Sequence, residues 1–371
     1  MKWTFWLNIV SIHLSPLLRA LALMPGQTVT VVAEHDMSDA RKAIGWQTPD
    51  CSPAHVILNP NEAEIASLIG QENKQPSVHL LHGLVNAPFN RRVLPRLARS
   101  GAIVGLISES ADPRGIYGLA RRAKYSFDRH IYEKHLDFIL AMGQRGVQWY
   151  KSAGYDDARI YPFAYVTEKP DIPLQNGTSA DKSKTVRILY LGRIIALKDV
   201  VTGIRALARI SSLDWRFDVV GDGPDLPRCK TTAAEVGIED RVRFHPIVDN
   251  SVIGSVFEKA DLLLFPSSCD GWGAVVNEAL MCGVPVVCSD QCGAADLLRK
   301  PLLGSIFKAG SVEGLQVALK GWIERGRRNK DNSAHIQEWS SAIEGTEVAK
   351  YVIEIVKHFE SAELKPSPPW Y

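Results

Sequence analysis

Short apolar runs alternate with longer amphipathic stretches along the first half of the chain. The runs that we predict to be strands are 3–12, 28–34, 54–58, 77–81, 102–107 and 137–142. Between them, patterns with helical period lie at 15–23, 61–70, 90–99 and 115–135. Strands that alternate with helices are typical of parallel βαβ units. The pattern therefore predicts an α/β fold.

The second half of the chain repeats this pattern. The predicted strands there are 186–191, 215–220, 241–245, 261–265 and 284–288. The predicted helices are 199–210, 224–236, 251–259, 274–282 and 311–325. Residues 166–185 hold prolines and small polar residues without an apolar period, which indicates a linker. A chain of 371 residues favours two domains, and we place them at 1–165 and 186–333.

Both ends of the chain have apolar patterns that need an interpretation. Residues 334–371 carry large apolar residues at near-helical spacing up to 361, which predicts a terminal helix followed by a loose tail. The apolar N-terminus is interrupted by His13, Pro16 and Arg19, so we expect no signal anchor. No later run reaches the ~20 apolar residues that span a bilayer. We therefore expect a cytoplasmic protein.

Two cations follow the first predicted strand of the second domain. The strand ends at Gly192, Arg193 comes next, and Lys198 lies five residues later. Ligands of open α/β sheets bind beyond the carboxyl ends of the strands, where these cations lie. Arginine offers phosphate oxygens a planar fork and lysine a point charge. The pattern favours a diphosphate site, and the alternative is a pair of solvated charges at a helix start.

The stretch 266–290 combines two acidic residues with a glycine-rich turn. Seven residues separate Asp270 from Glu278. Between them the turn made by Gly271, Trp272, Gly273 and Ala274 opens an apolar helix. Glycines at such a turn let backbone N–H groups approach an anion. We predict that this turn holds phosphate or sugar groups, although a solvated helix carboxylate is an alternative for Glu278.

The order of these segments resembles a known family. LGRIIALKD, VVGDGP, RVRFHP, ADLLLFPS and DGWGAVVNEALMCGVPVVCSD follow one another as in retaining glycosyltransferases of the GT-B fold, of the family-4 type. The resemblance implies two Rossmann-like domains with parallel sheets that face across a cleft, and a last helix that crosses back to the first domain. It implies sugar transfer from a nucleotide-diphosphate donor to a hydroxyl, with retention. One departure is Asp270, where the family usually has glutamate.

The resemblance also assigns roles in the second domain. Gly192, which precedes Arg193, would lie in the donor site. Arg193 and Lys198 would stabilise the departing diphosphate. Glu278 would accept hydrogen bonds from the two ribose hydroxyls. Asp270 is placed in the catalytic set. Gly221 would form the tight turn under the nucleotide. His245 and Ile247 would lie near the base, although a structural role for the His245 side chain is the alternative.

The first domain gives fewer candidates. Many members of the resembled family have a glycine-rich loop after the first strand, where this chain has His13 within SIHLS. Many also have a histidine after a central strand, where this chain has Glu109. We place Glu109 in the catalytic set, as a residue that orients the sugar or the acceptor hydroxyl. His82 and His13 are acceptor-side candidates, and all three have the alternative of ordinary strand-end polar residues.

Charge sets limits on the partners. A net charge of +2 does not favour nucleic acid. No D-x-D pair lies at a strand end with aromatic neighbours, so we expect no metal and no cofactor beyond the donor substrate. Basic clusters in the first domain predict an anionic membrane surface or a lipid-linked acceptor, with a solvated face as the alternative. Their members are Arg91, Arg92, Arg96 and Arg99, then Arg121, Arg122 and Lys124.

Taken together, these features predict a glycosyltransferase of cell-surface polysaccharide or glycolipid assembly, peripheral at the inner face of the plasma membrane. Two other functions stay open. One is a GT-B sugar-nucleotide epimerase. The other is a catalytically inactive sugar-nucleotide-binding protein, which Asp270 and the absent first-domain histidine allow.

Overall fold

The computed structural model describes residues 1–37, 47–70, 77–85, 87–172, 183–359 and 364–371. These residues form two compact units, Met1–Glu168 with Ala342–Tyr371, and Lys169–Ser341. Each unit is built around one parallel sheet flanked by helices. The prediction of two Rossmann-like α/β domains is confirmed.

The first unit contains a seven-stranded sheet in the order β3-β2-β1-β4-β5-β6-β7. Its strands are β1 Lys2–Leu7, β2 Thr28–Ala33, β3 His55–Leu58, β4 Ser77–His82, β5 Ile103–Ser108, β6 Phe138–Met142 and β7 Ile160–Phe163. The helices before the second unit are α1 Ser15–Leu23, α2 Glu62–Gly70, α3 Pro88–Leu97, α4 Gly115–Tyr132 and α5 Gly143–Ser152. Strands β2 and β3 lie on one side of β1, and strands β5, β6 and β7 lie on the far side of β4. The switch point, where open α/β sheets bind ligands, therefore lies between β1 and β4.

The second unit contains a six-stranded sheet in the order β10-β9-β8-β11-β12-β13. Its strands are β8 Val186–Leu191, β9 Trp215–Val220, β10 Val242–His245, β11 Leu262–Phe265, β12 Val286–Ser289 and β13 Gly304–Phe307. Its helices are α6 Val200–Ala208, α7 Leu226–Glu235, α8 Ile253–Glu258, α9 Val275–Met281, α10 Val312–Glu324 and α11 Lys330–Ser340. Here the switch point lies between β8 and β11. Both strands lead into loops that carry predicted site residues.

The chain returns to the first unit through its last helix, α12 Gly345–His358. A side chain at Gly345 would place its Cβ 2.4 Å from the carbonyl oxygen of Pro16, so the glycine allows α12 to pack closely on α1. The Tyr351 hydroxyl donates to the Pro162 carbonyl at 3.1 Å. The sequence pattern predicts that this return segment begins at residue 334, but α11 belongs to the second unit and the first unit resumes at Ala342.

Some predicted elements differ from the observed ones. The first strand ends at Leu7 rather than at 12, because Leu14 and Ser15 both donate to the carbonyl of Ser11 and turn the chain there. Helix α5 and strands β7 and β13 were not predicted. A glycine is the first residue of α5 and of β13, and it makes the apolar pattern of each element harder to recognise in the sequence. Among the described residues, no helix is both long enough and apolar enough to cross a membrane.

Two predicted donor-site glycines form a close backbone contact. Gly221 has a φ of +145°, and a Cβ there would lie 1.9 Å from the carbonyl oxygen of Gly192. We expect Gly221→Ala to lower the free energy of unfolding by at least about 2 kcal/mol, since both the strain and the overlap must be relieved. Urea unfolding of the full chain measures this change.

The matched control for this prediction is Gly321→Ala on α10. No heavy atom lies within 4 Å of a Cβ built there. Alanine also favours a helix interior by roughly 0.5–1 kcal/mol over glycine, so this variant should be unchanged or more stable. Equal stabilities of the two variants would contradict the assigned backbone constraint.

Candidate functional site

Two loops of the second unit meet at the switch point of its sheet. One follows β8 and contains Lys198, and the other follows β11 and contains Asp270. Ser268 joins them, because its backbone N–H and its hydroxyl donate to the carbonyl of Leu197 at 2.8 Å and 3.1 Å. At this junction the ammonium of Lys198 forms an ion pair with the carboxylate of Asp270. The structure thus brings together two predicted site residues from separate motifs.

Each member of this ion pair has further contacts. The Lys198 ammonium lies 5.0 Å from the centre of the Phe265 ring, within the range of a cation–π contact. The Asp270 carboxylate accepts from the backbone N–H of Trp272 at 3.3 Å. The backbone N–H of Asp270 donates to the carbonyl of Gln291 at 2.9 Å. The side chains are 20% and 16% exposed, so an incoming ligand can still reach a pair that is already held in position.

Arg193 differs from Lys198 in its electrostatic surroundings. Its side chain is exposed, and its guanidinium makes no hydrogen bond or ion pair within the described part of the chain. Its backbone carbonyl accepts from the Tyr190 hydroxyl at 2.7 Å and from the Ile195 N–H at 3.2 Å. The predicted two-cation clamp is therefore one uncompensated cation, Arg193, beside an ion pair. A diphosphate would have to compete with Asp270 for the lysine.

The turn from Gly271 to Ala274 is shaped by close packing. Gly273 has a φ of +100°, and a Cβ there would lie 2.7 Å from the Phe265 ring and 2.8 Å from the Cys292 sulfur. The Trp272 indole is 2% exposed and donates to the Asn277 side chain at 2.9 Å. The indole is therefore part of the core, and only the backbone at Trp272 remains as a candidate contact for a ligand.

Glu278 lies on the seven-residue helix α9 that follows this turn. Burial raises the pKa of its carboxyl from the usual 4.5 to about 7. The neutral form is therefore more favoured than in an exposed carboxyl group. A ligand hydroxyl that donated to the carboxylate would favour the ionised form.

The predicted residues after β9 and β10 lie at the same edge of the sheet. The N–H of Gly221 donates to the carbonyl of His245 at 3.1 Å, and the N–H of Gly192 donates to that of Val220 at 3.1 Å. The His245 imidazole lies 2.9 Å from the Asp218 carboxylate, which supports the structural alternative for its side chain. Ile247 is 53% exposed.

In the first unit, three predicted residues surround one residue that was not predicted, Tyr165. The Tyr165 hydroxyl donates to the Glu109 carboxylate at 2.8 Å. The His82 Nε2 lies 3.0 Å from the same hydroxyl, and the His13 ring centre lies 5.7 Å from the Tyr165 ring centre. Tyr165 was missed because it follows β7, a strand that was itself missed.

The protonation of this cluster follows from its surroundings. Burial raises the pKa of the Tyr165 phenol well above 10 and lowers the pKa of His82 to about 4. Both are therefore neutral at pH 7. Because the phenol gives its single proton to Glu109, Nε2 of His82 must carry a hydrogen and donate to the phenol oxygen. The chain of hydrogen bonds thus runs from His82 through Tyr165 to Glu109, which is exposed to solvent.

The described residues include no group of three or more His, Cys, Asp or Glu side chains placed to hold a metal ion. The expectation of a metal-free site stays a prediction.

Comparisons with known proteins bear on the second unit most directly. The family model described as Glycosyl transferases group 1 matches residues 173–339. The match covers a little less than half of the chain. A lipopolysaccharide 1,6-galactosyltransferase of Escherichia coli K12 is 26% identical over 210 residues, which cover 54% of this chain and 56% of that protein. The chain thus spans about half the length of this curated relative.

Solved structures resemble the chain over almost its full length. HepE of Anabaena in complex with UDP has a TM-score of 0.68 at 17% identity, with 96% of this chain and 100% of that chain covered. The lipopolysaccharide outer core galactosyltransferase WaaB, in its apo form, has a TM-score of 0.67 at 16% identity, with 97% and 100% covered. At such identities the likeness shows the GT-B fold alone.

The Tyr165 hydroxyl offers a direct test of the first-unit cluster. We expect Tyr165→Phe to lower the free energy of unfolding by about 1–3 kcal/mol, because the change removes hydrogen bonds to Glu109 and His82. Tyr161→Phe is the matched control, since the buried Tyr161 hydroxyl has no hydrogen-bond partner in the described part of the chain. Urea unfolding compares the two variants, and a larger loss for Tyr161→Phe would contradict the cluster.

The pKa of Glu278 predicts a dependence of stability on pH. The folded state binds more protons than the unfolded state between pH 4.5 and about 7, so the free energy of unfolding falls as pH rises through that window. Glu278→Gln removes this loss. We expect its stability relative to the unchanged chain to rise across the window by at most about 3 kcal/mol.

Urea unfolding at several pH values measures this difference. The matched control is Glu324→Gln, whose side chain is 52% exposed on α10 of the same unit. A difference between Glu278→Gln and the unchanged chain that stays constant with pH would show that Glu278 titrates normally.

Proposed function

We propose that this protein transfers a sugar from a nucleotide-diphosphate donor to a hydroxyl of a glycan or lipid-linked acceptor, with retention at the anomeric carbon. The acceptor would belong to lipopolysaccharide or to another cell-surface polysaccharide or glycolipid. The observation that carries the proposal is the Lys198–Asp270 ion pair beside the uncompensated Arg193, at the switch point of the second sheet. The match of residues 173–339 to the family model of Glycosyl transferases group 1 supports it.

Stabilisation of the leaving group is the main task of the second unit in this proposal. As the bond between sugar and phosphate breaks, negative charge grows on the departing diphosphate. Arg193 and Lys198 stabilise that charge, and cations already in place do so without reorganisation during the reaction. Asp270 keeps the Lys198 ammonium in position before the donor arrives. The phosphate then shares the lysine with Asp270, so no divalent metal is required for this task.

Glu278 and the glycine turn hold the donor. The Glu278 carboxylate accepts from the two ribose hydroxyls, which a neutral carboxyl group could do less well. The backbone of Gly271 to Ala274 contacts the phosphate or the sugar, and Gly221 permits a close approach of the nucleotide. Ile247 and the backbone at His245 lie near the base.

The configuration at the anomeric carbon is retained if the acceptor attacks from the same face of the sugar as the one from which the leaving group departs. A phosphate oxygen of the donor takes the proton of the acceptor hydroxyl, so the protein supplies orientation and charge. Glu109, held by Tyr165, accepts a hydrogen bond from the acceptor hydroxyl or from the sugar. His82 and His13 contribute to the acceptor side.

The test is turnover by the purified chain with a panel of UDP-, GDP- and ADP-sugars and lipid-linked or free glycan acceptors. Release of nucleotide that depends on acceptor supports a transferase. An epimerase would convert the donor without releasing nucleotide. Donor-induced thermal stabilisation without any product would indicate an inactive binding protein. Activity that persists after chelation supports the metal-free assignment.

We expect Lys198→Ala and Arg193→Ala each to lower kcat by about 10²–10³-fold, because each removes a cation that stabilises the leaving diphosphate. Asp270→Ala should also be damaging, and Asp270→Glu should be tolerated, because it restores the usual residue of the family. Steady-state kinetics with the identified donor measures these effects. Near-normal turnover of folded Lys198→Ala and Arg193→Ala would refute the phosphate assignment.

Lys320→Ala is the matched control. Lys320 also faces a carboxylate, that of Glu324 at 3.7 Å, on α10 of the same unit. Its side chain is 55% exposed and has no assigned role. Its turnover should equal that of the unchanged chain, which separates a local effect at the site from a general effect of losing a lysine.

A further inference from the structure

A cavity lies on one face of the second sheet. Among the described residues, strands β8, β9 and β10 line it on one side, and α8 with its flanking residues lines it on the other. Its volume is about 370 Å³, which lies within the range of small-molecule sites. The cavity extends from His245, at the end of β10, to Arg187, near the start of β8. It therefore runs along the flank of the strands, whereas the candidate donor site uses the loops beyond their ends.

Basic side chains dominate the wall of this cavity. Four of its lining residues are cationic and one is a carboxylate, and these are Arg187, Arg216, Arg243, Lys259 and Asp218. The Asp218 carboxylate is already paired with Arg216 at 3.0 Å. Arg243 and Lys259 are exposed, and their side chains make no hydrogen bond or ion pair within the described ranges of the chain. The cavity therefore carries an excess of positive charge.

The register of the strands makes this charge unusual for a parallel sheet. It pairs Arg187 of β8 with Arg216 of β9, and Asp218 of β9 with Arg243 of β10. Like charges directly opposite one another on neighbouring strands are destabilising, and parallel sheets usually bury apolar residues on both faces. The other face of these strands follows that rule and belongs to the core of the unit. Folding therefore does not account for the arginines, which points to a ligand of opposite charge.

The rest of the wall is apolar. Leu189 and Val220 contribute to it from the sheet, and Val252 and Val256 contribute from the side of α8. A ligand that fills the cavity therefore needs an apolar body beside its negative group. Inorganic phosphate alone would leave these apolar surfaces in contact with water.

We propose that this cavity binds a small organic phosphate. The phosphate oxygens lie among the arginines and Lys259, and the apolar part of the molecule lies between the sheet and α8. Arginine forks and a lysine ammonium suit a group with several anionic oxygens. The proposal goes beyond sugar transfer, since it requires neither donor nor acceptor. A donor at the β8–β11 switch point would use Arg193 instead, so mutation separates the two sites.

The probe is 1-naphthyl phosphate, and calorimetric titration of the full chain measures its affinity. We expect 1-naphthol, which lacks the phosphate, and inorganic phosphate, which lacks the apolar body, each to bind at least about tenfold more weakly. The double variant Arg243→Gln, Lys259→Gln should also bind the probe at least about tenfold more weakly, because it removes two cations from the wall. Both side chains are exposed, so the melting temperature of the double variant should not change.

Two further variants show where the probe binds. Arg209→Gln removes an exposed arginine of the same unit that does not line the cavity, so it controls for a general loss of positive charge. Arg193→Ala removes the uncompensated cation of the candidate donor site. Both variants should bind the probe as the unchanged chain does, whatever the fate of the proposed sugar transfer.

Loss of binding in the double variant alone supports the proposal. A loss in Arg193→Ala that the double variant does not share would overturn it, because the probe would then occupy the candidate donor site. No measurable binding of the probe, or equal affinities for 1-naphthyl phosphate and 1-naphthol, would also overturn it.

Discussion

The candidate donor site depends on two hydrogen bonds from Ser268 to the carbonyl of Leu197. They join the loops that follow β8 and β11, and Lys198 and Asp270 meet beside this junction. An ion pair of two long, solvated side chains contributes little when both are free to move. Here the partners are partly buried, and the carboxylate also accepts from the backbone of Trp272. Because the fold already restricts these side chains, little further conformational entropy is lost when the ion pair forms.

This arrangement changes the meaning of the basic motif. The Lys198 ammonium is already paired with Asp270, so it is a hydrogen-bond donor held in a fixed position rather than a free cation. Arg193, by contrast, supplies the uncompensated charge within reach of solvent. In the proposed reaction Arg193 thus attracts the donor phosphate and Lys198 positions it. The equal formal charge of the two residues in the sequence does not show this difference.

The sequence predicted the alternation of elements and most of their bounds, because apolar periodicity is a local property of the chain. It did not predict that Lys198 and Asp270 touch, since that contact depends on two loops from non-adjacent parts of the chain. Tyr165 was missed for a related reason: its partners come from β4 and β5, and its own strand β7 is only four residues long.

The route of the chain has a consequence for how the protein is made. The first unit contains both Met1–Glu168 and Ala342–Tyr371, so the whole of Lys169–Ser341 is an insertion within it. During synthesis α1 therefore emerges long before α12, the helix that packs on it through Gly345. At ordinary rates of translation this interval lasts on the order of ten seconds or more. Over that time the surface of α1 that α12 covers stays open on the ribosome, while the second unit, continuous in sequence, can complete its own fold first.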